Sequence, residues 1–235
     1  MNTLLRLILV VHVVGGAVGL LSFWIPAFSR KGGPLHRRAG KVYVKGMALV
    51  TITGGPLALS AFAAGNWVGG TFLLYLVVIT ASALYTGLRA LRSKAGPHQL
   101  VTPTYRGLAW LNLASGATVL VVGVATQTWL LAGFSLIGLL AGQAMLGFIR
   151  KPPTDPKYWW YEHLGGMIGT GIAAHVAFLN FGASRLIPGY SVGDWGMLAW
   201  FAPVVIGVLA TNRLDAFYRR KFAGRGREVP VAAKA

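Results

Sequence analysis

Residues 4–45 read LLRLILVVHVVGGAVGLLSFWIPAFSRKGGPLHRRAGKVYVK. The first part, 4–28, is apolar apart from Arg6, His12 and Ser22, and it is long enough to cross a bilayer, which takes roughly 20 apolar residues. It then runs into Arg30, Lys31, Arg37, Arg38, Lys41 and Lys45. A basic cluster directly after an apolar run stops transfer and holds that end on the cytoplasmic side. A cleaved signal peptide would close earlier, so this stretch is expected to be the first spanning helix, entering from outside.

The same alternation repeats along the chain. Six further apolar stretches are expected to span, at 46–64, 68–88, 108–125, 129–149, 164–181 and 195–210, and none holds Asp or Glu. The connections alternate between basic and nearly uncharged. Twenty of the 22 Lys and Arg fall in the first, third and fifth connections and in the tail. Arg6 and Arg185 are the other two. The pattern predicts an all-α, polytopic bundle of seven transmembrane helices with its N-terminus outside and its C-terminus cytoplasmic. One transmembrane domain over 1–218 is expected, followed by a basic tail over 219–235 that should be mobile. Trp67, Trp110, Trp129, Trp159, Trp160 and Trp195 fall near the expected helix ends, as an aromatic belt does. The expected location is the cell inner membrane.

Composition narrows the function classes. Charged residues make up 11% of the chain and mean hydropathy is +0.61. A soluble domain carries about 25% charged residues. There is no cysteine, which excludes disulfides, thiolate metal sites and Cys nucleophiles. The net charge of +17 sits in juxtamembrane connections, so anionic lipid head groups are the expected partners rather than nucleic acid. No nucleophile elbow, His-Glu-x-x-His or Gly-rich phosphate loop is present. No Lys lies within a span to hold retinal.

Ionisable groups inside a membrane are candidates for function because they are costly there. His12 lies about 12 Å from the outer end of the first stretch, and His175 about 16 Å from the inner end of the sixth. In a hydrocarbon core of about 30 Å these depths coincide. Two neutral imidazoles at one depth suit a single haem iron or metal. A b-type haem is the cofactor this pair would fit, with a quinone or proton role also open. The alternative is interhelical hydrogen bonding. His163 and His175 are about 120° out of register on one helix, which disfavours a second haem.

A second constellation falls on the cytoplasmic side. Pro34 opens the second helix, followed by His36, Arg37, Arg38 and Tyr43, while Glu162 and His163 open the sixth. His36, His163 and Glu162 could form a small N/O metal site. His36, Arg37 and Arg38 at a helix N-terminus could hold a phosphate or lipid head group. Alternatively, Glu162 pairs with an arginine of the first connection and clips helices two and six together.

The pattern His36-Arg37-x-x-Gly40-x-x-Tyr43, preceded by a His-containing first helix rich in small residues, resembles a group of bacterial predicted membrane proteins of unknown function. The run Glu162-His163-x-Gly165-Gly166-Met167-x-Gly169 is similar to that group as well. The middle of the chain departs from it, with Pro97-His98-Gln99 where the group often has a further His-Arg segment. The resemblance implies a multi-helix fold with His36, Arg37, Glu162 and His163 as shared positions, and it implies no activity. Two functions are expected from the residues: a cofactor- or ligand-binding membrane protein, such as a b-type haem or quinone-linked electron-transfer component, or an accessory subunit packed against other membrane subunits.

Overall fold

The structure, a computed structural model, describes residues 2–225. Its helices are α1 (Thr3–Phe28), α2 (Pro34–Ala63), α3 (Trp67–Ala90), α4 (Pro103–Ala125), α5 (Trp129–Arg150), α6 (Tyr158–Ala177), α7 (Ala183–Leu186), α8 (Val192–Trp195) and α9 (Met197–Arg225). A 3₁₀ turn, Pro97–Gln99, precedes α4, and a π turn, Phe178–Gly182, joins α6 to α7. With α6 and α7 taken as one rod, seven helices are long and apolar enough to span. The chain is an all-helical, multi-pass membrane protein.

Local chemistry sets the helix starts. Asn2 accepts from Leu5 N, Asn66 from Gly69 N and Thr102 from Tyr105 N, each satisfying a free amide of a first turn. Pro34 and Pro103 occupy first turns, where a missing N–H costs nothing. Gly65, at φ 77°, turns the chain between α2 and α3.

Two helices run well past their apolar stretches. α2 begins at Pro34, so His36 to Lys45 form its first turns. α9 continues to Arg225, so the boundary expected at 218 falls inside a helix. The extension is held by packing. Tyr218 and Phe222 set their rings 5.0 Å and 5.5 Å from Trp160. Arg219 lies 4.0 Å over the Tyr161 ring and 3.5 Å from Asp155. The rest of the expected tail, 226–235, lies outside the described residues. Helical extension also brings Glu162 and Asp215 into spanning rods, although the apolar stretches themselves hold no acid.

α1 and α2 form one hairpin and α4 and α5 another, with α3 and α6 antiparallel between them. Glycines allow these close approaches. A Cβ on Gly46 would lie 2.8 Å from Gly15 O, and one on Gly166 would lie 2.5 Å from Ala83 O and 2.7 Å from Gly87 Cα. Backbones this close gain dispersion contacts that replace the hydrophobic drive missing in lipid. Phe72, Tyr75, Val119, Leu131, Phe134 and Val176 form one buried cluster. α9 leans mainly on α6 and, with α1, is the least buried of the spans.

Candidate functional site

His12 and His175 are each fixed by one hydrogen bond. Thr53 donates its hydroxyl to Leu49 O, so its oxygen is free to accept from His12 Nδ1 at 2.9 Å. His175 Nδ1 donates to Gly171 O at 2.7 Å, one turn back on its own helix. The His175 ring stands edge-on to Phe23 at 5.5 Å and to Trp24 at 5.2 Å. Those aromatics are eleven and twelve residues beyond His12 on α1, about 16–18 Å along its axis. The two histidines therefore do not share one level, which corrects the expected pairing. A single metal ion with bonds of about 2 Å cannot reach both. The depth count failed because the ends of apolar runs are not fixed membrane edges. The register of α1 on α6 comes instead from Gly171, whose missing side chain receives the Phe23 ring.

The basic-end constellation divides into two neighbourhoods. In the first, His36 Nδ1 donates to Pro26 O at 3.1 Å, and Lys31 Nζ donates to Pro26 O at 2.8 Å and also to Ala27 O. Both side chains satisfy carbonyls left open at the C-terminus of α1. Burial pushes the Lys31 pKa below the ordinary lysine range. His163 Nδ1 donates to Gly87 O at 2.8 Å, tying α6 to α3. His36 and Lys94 both lie within electrostatic range of His163. Tyr43 is buried, its hydroxyl donating to Met167 O at 3.2 Å and lying 2.6 Å from Thr170 Oγ1.

In the second neighbourhood, Glu162 lies within electrostatic range of Asp215, Tyr105 and Tyr158. The ion pair among the described residues is Arg219–Asp155, so the expected Glu162–Arg clip is not formed. Tyr43 links helices two and six in its place. The reason is register: Glu162 comes near Asp215 and Tyr105, whereas Tyr43 reaches Met167 and Thr170 further along α6. Arg37 and Arg38 are exposed. No group of three His, Asp or Glu among the described residues is placed to hold a metal ion, so His36, His163 and Glu162 do not combine as one.

Several polar contacts were not singled out in the sequence. Asn112 Nδ2 donates to Ser82 Oγ at 2.7 Å and to Leu108 O at 2.8 Å. Tyr75 donates to Phe134 O at 2.6 Å and accepts from Gly138 N at 2.8 Å. Asn180, in the π turn, donates to Val176 O and to Ala199 O. An amide inside an apolar stretch is the signal that marks Asn112 and Asn180, because an unpaired amide in hydrocarbon is costly. These groups act chemically as His12, His36, His163 and Tyr43 do: they hold helices in register. No known protein family, curated protein or solved structure matches the chain.

Proposed function

We propose that the protein is a non-catalytic accessory subunit of the cell inner membrane, acting through its helix surface within a larger membrane assembly. One observation carries this reading: four polar side chains inside the bundle each join two helices. His12 joins α1 to α2, His163 joins α6 to α3, Tyr43 joins α2 to α6 and Asn112 joins α4 to α3. The resulting scaffold leaves α1 and α9 with broad apolar faces, including Leu4, Leu7, Leu21, Val205, Ile206 and Leu209. In this reading the basic connections lie on the cytoplasmic side against anionic head groups. The likeness of His36–Tyr43 and Glu162–Gly169 to the group of bacterial membrane proteins belongs to the same proposal, with His36 and His163 serving packing.

The test is native electrophoresis of membranes solubilised in mild detergent. The reading expects the chain in a complex larger than its own 25.0 kDa plus detergent. Migration as the lone chain at native expression, with unchanged growth of cells lacking it, would count against it.

A cofactor-binding reading keeps one specific support. Each of His12 and His175 gives Nδ1 to a hydrogen bond, which leaves Nε2 free, as it is in a haem or metal ligand. Each would then serve a cofactor separately. Spectra of the purified protein, oxidised and dithionite-reduced, decide between the readings. A sharp reduced α-band that His12→Leu or His175→Leu abolishes supports the cofactor; a featureless spectrum favours the scaffold.

A further inference from the structure

α4 and α5 are in close contact through Gly116, Gly123 and Gly142. Nearer the basic end of the bundle they leave an open groove of about 490 Å³, lined by Trp110, Leu113, Gln143, Leu146, Gly147 and Arg150. A Cβ on Gly147 would meet nothing within 4 Å, so the groove continues over that residue. Trp110 is 61% exposed and forms one wall.

The polar groups of this groove are unusual for a surface facing lipid. Gln143 is exposed within an apolar helix. The hydrogen bonds of the surrounding helix faces run through Asn112, Ser115 and Ser135 and leave its amide out. An amide without a partner in hydrocarbon is costly, and among the described residues this one has none, so an acceptor from a neighbouring molecule suits it. Arg150 ends α5 about 10 Å nearer the basic end, two turns from Gln143. Helical side chains lean towards the N-terminus, which carries the Arg150 guanidinium back over Gly147. Arg106, also exposed, sits one turn from Trp110 on the same face of α4. Its neighbourhood adds a second positive charge.

The order of groups along the groove is therefore cation, amide, apolar wall. A glycerophospholipid presents the complementary order of phosphate, acyl ester carbonyl and hydrocarbon chain. The phosphate accepts from a guanidinium and the ester carbonyl accepts from an amide N–H. We infer that the α4–α5 groove binds one anionic glycerophospholipid, with its phosphate on Arg150, an acyl ester carbonyl on Gln143, and one chain along Leu146 and Leu113 against Trp110. The site needs only the leaflet at the basic end, and it stands whether or not the chain belongs to a larger assembly.

The test is native mass spectrometry of the full chain in detergent, titrated separately with phosphatidylglycerol and phosphatidylcholine. Variants are Arg150→Gln, Gln143→Leu, Gly147→Leu and, as a control for diffuse charge, Arg92→Gln at the same end. Unchanged melting temperature shows that each variant is folded. The expected result is one retained phosphatidylglycerol held about ten-fold more tightly than phosphatidylcholine, a preference worth about 1.4 kcal/mol. Arg150→Gln removes the preference, Gln143→Leu weakens both lipids, Gly147→Leu blocks the site, and Arg92→Gln changes nothing. Equal retention of the two lipids overturns the proposal. So does an Arg92→Gln effect as large as that of Arg150→Gln, or binding untouched by Gly147→Leu.

Discussion

Tyr43 makes the longest-range side-chain hydrogen bond among the described residues, reaching across 127 positions to Thr170. Its ring packs 5.6 Å from Phe23, so one residue joins α1, α2 and α6. Removing the hydroxyl leaves the Met167 carbonyl without that donor. Tyr43→Phe is expected to cost about 1–2 kcal/mol, read as a lower melting temperature or denaturant midpoint in detergent. An unchanged midpoint would mean that the hydroxyl is dispensable. The His12–Thr53 bond is less buried than that of Tyr43, and its loss should come nearer the average for interhelical bonds in membranes, about 0.6 kcal/mol. A double-mutant cycle of His12→Leu with Thr53→Val should return a coupling near that value. A coupling near zero would show that His12 is kept for something other than packing.

The α3–α6 crossing depends on Gly166 and not on its neighbour Gly165. Gly166→Ala would press a methyl against Ala83 O and Gly87, neither of which can rotate away, and should destabilise by about 1–3 kcal/mol. At Gly165 a methyl meets nothing within 4 Å, so Gly165→Ala should be neutral or mildly stabilising. Equal thermal shifts for the two would disprove this account of the crossing. The end of α1 makes a prediction in pH. Burial lowers the Lys31 pKa, so between its folded value and the ordinary 10.5 the unfolded chain binds more protons. Stability must then rise with pH across that window, and the melting temperature of the wild type should gain on that of Lys31→Met as pH 10.5 is approached. A constant difference would show that Lys31 keeps an ordinary pKa. The number and order of the spans could be read in the sequence because hydropathy and charge are local properties. Their full lengths could not. Pro34 marks the start of α2 in the sequence, but the extension of α9 could not be read: Arg213–Arg225 is rich in basic residues, and Tyr218 and Phe222 pack it on Trp160, a contact between distant parts of the chain. The His12–His175 pairing failed for the same reason: depth was counted along separate helices, whereas register is set where Phe23 meets Gly171.

The assembled bundle keeps its basic connections at one end and nearly uncharged ones at the other. On the positive-inside rule we propose that the basic end faces the cytoplasm. Because the chain has no cysteine, single introduced thiols report accessibility cleanly. Ser191→Cys should react with an impermeant maleimide on intact cells, and Arg92→Cys only after the membrane is opened. The reverse pattern would invert the assignment. Both sites are exposed: Ser191 follows the α6–α7 rod, and Arg92 is two residues from Lys94, whose amine lies 4.4 Å over the Trp159 ring at the rod's start. The distance in sequence between Tyr43 and Thr170 also has a consequence in time. A ribosome adds about 5–20 residues per second, so α2 waits roughly 6–25 s in the bilayer before Thr170 exists. During that interval the Tyr43 hydroxyl and the closely packed glycine face of α3 have no permanent neighbour. Newborn chains are thus open to rival helices, to proteolysis and to membrane insertases for most of their synthesis, and a ribosome stalled before α6 would release a half-built hairpin array for the cell to clear.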